Sequence, residues 1–393
     1  MKVALVAGEA SGDQLGAALM HALRAVRPDV SFVGIGGAQM QAAGMEAWWD
    51  TGELSVMGLF EVMGHITRLL ALRRQLVKRL LDADPDIFVG IDAPDFNLAV
   101  ERKLKERSIP VVHYVSPTVW AWRSGRVKTI ARSTDRVLCL FPFEPAYYEQ
   151  QNVLANYTGH PLADEIPLGV AKAAARGELG VDGNTRCIAL LPGSRMSEVS
   201  RLCAPMLDAA ELLARRYPGA QFLVPAASEL IRHHVETELQ DRDGLDCRVL
   251  VARGKQAMAA ADLVICASGT ASLEVMLVNR PMVVCYRLAG MTYHLAKWLK
   301  LVKSRFFALP NILADEPLVP ELLQHEVTGQ QIAEAAAPWL DQPERCSALK
   351  ARFEQLHRQL RIDAASTAAR VVLKHISQQG RGIAHLADKP HQS

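Results

Sequence analysis

The sequence contains no run of about 18 consecutive apolar residues, the length that a membrane-spanning helix requires. It also contains no CxxC pair, and its 7 cysteines are scattered over 393 residues. This cysteine pattern argues against a disulfide scaffold or a structural zinc site and fits a reducing compartment. Neither sign of charge is in large excess: the chain has 44 Lys and Arg residues and 42 Asp and Glu residues, which gives a formal net charge of +2. The total charge therefore gives no support to a general nucleic-acid binder, although it leaves a local basic patch open.

Hydrophobic residues make up 50% of the chain and charged residues 22%, the composition of a globular protein with large cores. Short runs rich in Val and Ile alternate with helical stretches, which is the pattern of parallel strands joined by helical crossovers. The alternation stops and restarts, so we predict an α/β fold with two doubly wound, Rossmann-like halves. The strands predicted in the first half are 3–7, 31–35, 86–91, 111–115, 136–140 and 155–158. Those predicted in the second half are 187–191, 221–225, 248–251, 263–266 and 282–286.

A segment with two prolines and two glycines, GHPLADEIPLG at 159–169, predicts the junction between the halves. We expect one domain over residues 1–163 and a second over 164–343. Residues 344–379 contain few helix breakers and are expected to form helices that pack across the domains or between the subunits of a homodimer. The tail, 380–393, is expected to be loose. Ligands of doubly wound sheets bind at the carboxyl ends of the strands, so we expect the site in a cleft between the halves.

The loop after the first predicted strand, AGEASGD at 7–13, opens a helix and has small residues that allow a ligand close to the backbone. The carboxylate of Glu9 would repel a pyrophosphate, so we expect it to accept hydrogen bonds from sugar hydroxyls. Ser11 and Gly12 are assigned to the same acceptor or cleft site. The structural alternative is a tight turn in which Ser11 or Asp13 caps the helix.

A second loop, GIDAPDFN at 90–97, follows a buried strand and carries two carboxylates. Asp92 stands directly at the predicted strand end, where a carboxylate can act as a general base toward a sugar hydroxyl. We therefore predict Asp92 as the catalytic residue. For Asp95 the interpretation as a helix cap is preferred.

Two loops of the second half have the features of phosphate sites. In LLPGSR at 190–195, a strand ends and a helix begins, Gly193 and Ser194 offer donors, and Arg195 can contact a diphosphate through two hydrogen bonds. In CASGTASLE at 266–274, the residues Ser268, Gly269 and Thr270 place unhindered amides at a helix start. Glu274 on that helix can accept both hydroxyls of a ribose. The alternatives are a surface charge for Arg195 and a favourable helix-dipole contact for Glu274.

Two stretches combine apolar and basic side chains, and they hold no acid over 62–81 and 275–314. Basic residues mixed with Trp, Phe and Leu suit a helix that lies on an anionic leaflet, so we predict docking on a membrane surface. The alternative is a pair of buried crossover helices with solvated Lys and Arg edges. The residues assigned to docking are Phe60, Arg68, Arg73, Arg74, Trp298, Lys300 and Lys303.

In this order, the loops resemble the lipid-A-disaccharide synthase family, whose members are inverting glycosyltransferases of the GT-B fold. The matching segments span residues 1 to about 375. They are AGEASGD, FVGIDAPDFN, HYVSPTVWAWR, LCLFPFE, GHPLAD, ALLPGSR, ASGTASLE, PMVVCYR and ALPNILA. The tail after residue 378 lies beyond the matched region.

The resemblance implies that 2,3-diacylglucosamine is transferred from UDP-2,3-diacylglucosamine to 2,3-diacylglucosamine 1-phosphate, which is lipid X. The products would be a β-1,6-linked disaccharide 1-phosphate of lipid A biosynthesis and UDP. No metal and no cofactor are implied. The first half would bind the acceptor and the second half the UDP-sugar. Because both substrates are acylated, we expect a cytoplasmic protein that is peripheral on the inner face of the inner membrane.

The resemblance also assigns residues. The general base of the family falls on Asp92, in agreement with the choice made from the residues themselves. Glu9, Arg195 and Asn311 fall on functional positions, and Glu274 matches the carboxylate that binds the ribose. Asn311 joins the donor site on this ground alone, since in LPNIL it fits a turn cap equally well.

Three rival functions fit parts of the sequence. Another GT-B member, such as a UDP-N-acetylglucosamine 2-epimerase or a peptidoglycan-type transferase, shares the donor half but does not need the apolar basic stretches. A nucleotide-dependent oxidoreductase needs a dinucleotide fingerprint, and none is found. A non-enzymatic adaptor at the membrane surface needs no carboxylate at the strand end.

Overall fold

The computed structural model describes residues 1–54, 62–117, 126–287 and 305–380. The chain divides into two compact units. The first consists of Met1–Pro161 together with Leu360–Ser393, and the second consists of Leu162–Gln359.

The first unit is built on a parallel sheet in the order β3-β2-β1-β4-β5-β6-β7. The residues of its middle strands are buried except Lys2, because each strand is a short, largely apolar run covered on both faces. The order reverses beside β1, which is the topology of a doubly wound sheet. The strands are β1 (Lys2–Ala7), β2 (Ser31–Ile35), β3 (Glu46–Trp49), β4 (Ile87–Ile91), β5 (Val111–Tyr114), β6 (Arg136–Cys139) and β7 (Leu154–Tyr157).

Helices cover the two faces of this sheet. Alternate residues of β1 face opposite cores, Val3 and Leu5 toward one and Ala4 and Val6 toward the other, as the two-residue period of a strand requires. The helices are α1 (Ala10–Val26), α2 (Ala38–Ala42), α3 (Val62–Ala83), α4 (Pro94–Lys105), α5 (Arg126–Ser133) and α6 (Ala146–Glu149).

The second unit repeats the plan with a parallel sheet in the order β10-β9-β8-β11-β12-β13. Its strands are β8 (Cys187–Leu191), β9 (Gln221–Ala226), β10 (Cys247–Val251), β11 (Leu263–Ala267), β12 (Met282–Tyr286) and β13 (Glu321–Leu323). Its helices are α7 (Pro161–Glu165), α8 (Lys172–Leu179), α9 (Met196–Arg216), α10 (Glu229–Leu239), α11 (Gly254–Ala260), α12 (Thr270–Leu277), α13 (Leu309–Ala314), α14 (Gly329–Asp341) and α15 (Pro343–Leu360). The prediction of two doubly wound α/β halves is confirmed.

The last helix returns to the first unit. After α15 the chain takes a left-handed residue, Asp363 with φ 58°, whose carboxylate accepts a hydrogen bond from the Ser366 amide at 3.2 Å. This begins α16 (Ala364–Gln378), which buries Ala368, Val372 and Ile376 in the core beside α1. These three residues are four apart, so they lie on one helix face.

Within the described residues, no helix combines the length and apolar character needed to cross a membrane. All seven cysteines fall in the described ranges, and each is a free thiol.

Candidate active site

The first candidate loop lies where β1 and β4 end side by side, with Ala7 paired to Ile91. Gly8 follows β1, and a Cβ atom there would lie only 2.7 Å from the Cβ of Ala93. Only glycine allows the two loops to approach this closely. Glu9 comes next, with an exposed side chain. The structure thus brings Glu9 to the same sheet edge as Asp92.

The same loop forms the N-terminus of α1. Glu9 occupies the N-cap position of α1 and makes no side-chain cap hydrogen bond. Ser11 is exposed in the first turn, and Gly12 is buried against Ala7. The alternative that Ser11 or Asp13 caps α1 is therefore wrong.

Asp13 caps a different helix. Its buried carboxylate accepts hydrogen bonds from the amides of Gly37 at 2.7 Å, Gln39 at 2.9 Å and Met40 at 3.1 Å. These are the free donors at the start of α2, since Gly37 is its N-cap. Asp13 is thus a structural anchor between α1 and α2.

Asp92 stands on a strained turn after β4. Its φ is 50°, and that of Ala93, the N-cap of α4, is 43°. The Asp92 amide donates to the Tyr114 carbonyl at 2.8 Å, which continues the β4–β5 ladder by one residue. In the part of the chain that the structure describes, no hydrogen bond or ion pair holds the Asp92 carboxylate. It is half-exposed and available to a ligand.

Asp95 does not cap the helix that follows. Its side chain is 88% exposed and forms an ion pair with Arg126 at 2.6 Å. The N-cap position is taken by Ala93 instead, and Pro94 occupies the first helical position. The preference for a capping Asp95 is therefore wrong.

Asn97 is a residue of this loop that the sequence analysis missed. It is fully buried, and its side-chain amide donates to the Asp92 carbonyl at 2.8 Å. The sequence contains a signal for Asn97, because it is a polar residue among the apolar residues Phe96, Leu98 and Val100 near the start of α4.

The first loop of the second unit presents Arg195 to solvent. Gly193 has φ 127°, and a Cβ there would lie 2.6 Å from the Glu198 carboxylate, so glycine is required. Ser194 is exposed and Arg195 is the N-cap of α9. The Arg195 side chain is 78% exposed, and its guanidinium lies 3.9 Å from Glu198. A loosely held cation beside free helix amides is suited to an anionic group.

The second loop has Gly269, with φ 131°, as the N-cap of α12, so Thr270 begins the helix. The Ser268 hydroxyl donates its hydrogen to the Phe307 carbonyl at 3.0 Å, so it is not available as a donor to a phosphate oxygen. Glu274 is half-buried. Burial raises the pKa of Glu274, nearby Glu165 raises it further, and Lys255 opposes both.

Asn311 is buried, and the whole of its amide is used within the protein. Its Nδ2 donates to the Val319 carbonyl and to Glu321, both at 2.9 Å, and its Oδ1 accepts from the Val319 amide at 2.9 Å. Glu321 in turn accepts from the amides of Phe307 at 3.0 Å and Ala308 at 2.7 Å. Burial raises the pKa of Glu321, while these hydrogen bonds lower it. Asn311 therefore supports the segment that holds Ser268.

The residues assigned to membrane docking fall into two groups. Phe60, Trp298, Lys300 and Lys303 lie outside the described residues. Of the others, Arg74 is exposed, Arg68 forms an ion pair with Glu53, and Arg73 packs over the Phe96 ring at 5.2 Å. Arg73 also donates to the Asp95 carbonyl at 3.1 Å, and burial lowers its pKa. Arg73 therefore joins α3 to α4.

The sequence matches the model of the family described as lipid-A-disaccharide synthetase over residues 3–372. A lipid-A-disaccharide synthase of Xanthomonas campestris is 48% identical over 385 residues, covering 97% of this chain and 88% of the relative. One from Pseudomonas aeruginosa is 47% identical over 379 residues, covering 96% of this chain and 99% of the relative.

Solved structures share the fold at low sequence identity. A putative UDP-N-acetylglucosamine 2-epimerase of Listeria monocytogenes has a TM-score of 0.64 and 13% identity, covering 100% of this chain and 99% of the neighbour. A UDP-GlcNAc 2-epimerase of Neisseria meningitidis, bound to UDP-GlcNAc, has a TM-score of 0.61 and 13% identity, covering 96% and 100%. The fold is that of the GT-B glycosyltransferases and epimerases.

Proposed function

Because the chain belongs to the lipid-A-disaccharide synthetase family of glycosyltransferases, we propose that it transfers 2,3-diacylglucosamine from UDP-2,3-diacylglucosamine to lipid X. The products are the β-1,6-linked disaccharide 1-phosphate and UDP. The observation that carries the catalytic assignment is the Asp92 carboxylate. It is half-exposed at the end of β4, and none of the described residues is its hydrogen-bond or ion-pair partner.

Asp92 acts as the general base. It removes the proton from the 6-hydroxyl of the acceptor as that oxygen attacks the anomeric carbon of the donor sugar. The attack comes from the face opposite UDP, so the reaction proceeds through one oxocarbenium-like transition state with a single inversion. Glu9, at the same sheet edge, accepts hydrogen bonds from sugar hydroxyls and orients the acceptor, with Ser11 and Gly12 beside it.

The second unit binds UDP. The helix starts at Gly193–Ser194 and at Gly269–Thr270 direct amides toward the diphosphate, and Arg195 neutralises it. These groups hold the leaving diphosphate without a metal ion. Glu274 accepts hydrogen bonds from the ribose. Its raised pKa follows from burial, and a hydrogen bond from each hydroxyl would stabilise its ionised form.

Ser268 and Asn311 serve the donor site indirectly. The Ser268 hydroxyl holds the Phe307 carbonyl, and Asn311 holds Glu321, which binds the amides at Phe307 and Ala308. Ser268 and Asn311 thereby fix the loop that precedes α12.

The protein would work at the cytoplasmic face of the inner membrane, where both acylated substrates reside. Exposed Arg74 on α3 belongs to the docking surface, together with the apolar basic stretches outside the described residues. Association as a homodimer through the C-terminal helices is part of the same proposal.

The test is an assay with purified protein, UDP-2,3-diacylglucosamine and lipid X in detergent containing EDTA, with products identified by mass spectrometry. We expect UDP and a disaccharide 1-phosphate. Asp92→Asn should lose most of the turnover while still binding UDP. Asp95→Asn is the matched control three residues away, and it should turn over normally. In a parallel reaction with UDP-GlcNAc alone, an epimerised product, together with no disaccharide from the acylated pair, would support the epimerase alternative.

A further inference from the structure

We infer that Asn97 is a positioning residue, whose side-chain amide holds the Asp92–Ala93 turn in the conformation that presents the Asp92 carboxylate. The inference rests on the proposed role of Asp92 as the base. It assigns to Asn97 no contact with substrate.

The left-handed conformation of this turn requires contacts that stabilise it. Asp92 and Ala93 are consecutive non-glycine residues in the left-handed region, with φ values of 50° and 43°. Such residues are strained, and they persist only where the surrounding structure determines their conformation. Pairs of this kind concentrate at functional sites because the strain fixes the direction of one side chain.

Asn97 contacts the turn and both strands that precede it. Its Nδ2 donates to the Asp92 carbonyl at 2.8 Å and lies 3.3 Å from the carbonyls of Ile91 and Val6. Its backbone amide donates to the Ala93 carbonyl at 2.9 Å. Two amide hydrogens are thus shared among three carbonyls, at the point where the ladders of β1 and β4 end. The shortest of the three contacts is the one to the strained residue.

A buried polar layer keeps Asn97 in place. It lies over Gly90, where a Cβ would come within 3.1 Å of the Asn97 Cβ and 2.2 Å of the Glu101 carboxylate. Glu101 is one helical turn after Asn97 and bonds His113 on β5 at 2.6 Å. All three side chains are fully buried. Because β5 pairs His113 with Gly90, the absence of a side chain at residue 90 makes room for this layer.

Stability alone does not explain why this buried layer is polar. Replacing a buried pair of ionisable groups by apolar groups of the same shape is often neutral or stabilising. Three of its atoms, Asn97 Oδ1, Glu101 Oε2 and His113 Nε2, have no hydrogen-bond partner among the described residues. Unsatisfied buried groups require an explanation. Holding a strained carboxylate-bearing turn is the explanation that the contacts of Asn97 support.

The experiment compares two isosteric substitutions at opposite edges of one sheet. Asn97→Leu keeps the shape and removes the donor at the carboxyl edge. Thr134→Val keeps the shape and removes a buried hydroxyl that bonds the Val111 carbonyl at 3.1 Å and the Arg136 carbonyl at 3.0 Å. Both should lower Tm, since each removes buried hydrogen bonds to backbone carbonyls. Only Asn97→Leu should lower kcat, by about 100-fold if the carboxylate moves by about 1 Å, with the KM for the UDP-sugar unchanged.

A double variant separates positioning from a general structural effect. If Asn97 acts through Asp92, then Asn97→Leu added to Asp92→Asn should reduce the residual rate no further. Should Asn97→Leu fail to fold, Asn97→Ala removes the same donor without placing a larger apolar side chain beside Glu101, and the same loss of kcat is expected.

A wild-type kcat in Asn97→Leu, an equal loss in Thr134→Val, or independent losses in the double variant would overturn the inference. These outcomes leave the proposed function intact. In contrast, the absence of disaccharide with the wild-type protein would refute the proposed function itself.

Discussion

The contact between Gly8 and Ala93 allows a sharp test of how Asp92 is placed. Gly8→Ala would add a Cβ only 2.7 Å from the Cβ of Ala93, whereas carbon atoms in contact lie about 3.5–4.0 Å apart. The next nearest atom, a methyl group of Leu54 at 3.9 Å, is at ordinary distance. The substitution therefore acts on the Asp92–Ala93 turn and pushes it away by about 1 Å.

We expect two effects from this shift. Overpacking should destabilise the protein by about 1–3 kcal/mol, which lowers Tm by several degrees. Moving the base by about 1 Å should lower kcat by about 100-fold. Product formation measured at saturating UDP-sugar and lipid X, beside a thermal unfolding curve, reports both.

A second substitution, Ala93→Gly, removes the Cβ atom of residue 93, with which the added Cβ of Gly8→Ala would collide. Glycine also adopts the φ of 43° found at that position without strain. Gly8→Ala/Ala93→Gly should therefore recover most of the lost kcat, and Ala93→Gly alone is its control. Full activity in Gly8→Ala, or no recovery in the double variant, would refute the argument that this contact sets the position of Asp92.

Three further predictions follow from single side chains. Arg195→Ala should raise the KM for the UDP-sugar about 10- to 100-fold by removing a charged contact; an unchanged KM, or an equal rise in Arg215→Ala on the same helix, would contradict this. Burial lowers the pKa of His160 from 6.5 to about 4, so stability is lost as pH falls through that window. In urea unfolding, His160→Phe should reduce the loss in the free energy of unfolding between pH 6.5 and about pH 4 by up to about 3 kcal/mol. An unchanged pH dependence in this variant would contradict the prediction. Arg74→Ala should weaken binding to anionic vesicles about fivefold at low salt, while equal binding at low and high salt would refute docking by charge.

Most of the fold follows from strand-length aliphatic runs. The strands Ser31–Ile35, Cys187–Leu191 and Met282–Tyr286 have the predicted bounds, because buried parallel strands are continuous apolar runs with abrupt polar ends. Two edge strands were not predicted. β3 and β13 are short and contain glutamate, and each pairs with one neighbour only. Their conformation depends on the strand beside them, which local pattern does not reveal.

The basic stretch of the first half shows a different limit. The mixture of apolar and basic residues left open whether the stretch docks on a membrane or forms a buried crossover helix, and from Leu72 onward α3 places three leucines in the core. Leu72, Leu76 and Leu80 enter the core, and Arg79 lies over the Trp48 ring at 4.4 Å. The composition of the stretch was informative, but the contacts of Arg68, Arg73 and Arg79 are with residues 15 to 33 positions away in the chain, such as Glu53, Asp95 and Glu46.

The aspartates of the two loops show why residue type and spacing identify a site but do not separate its members. Asp13, Asp92 and Asp95 all stand near a strand end and a helix start, and each was a candidate cap or base. The Asp13 carboxylate is buried and accepts hydrogen bonds from three amides at the start of α2, so it is not presented to a substrate. Asp95 points outward to Arg126. Asp92 is half-exposed on a turn with a left-handed backbone, and none of the described residues is a hydrogen-bond or ion-pair partner of its carboxylate. The proposed base is therefore distinguished by the conformation of its backbone, in a turn that both Gly8 and Asn97 contact.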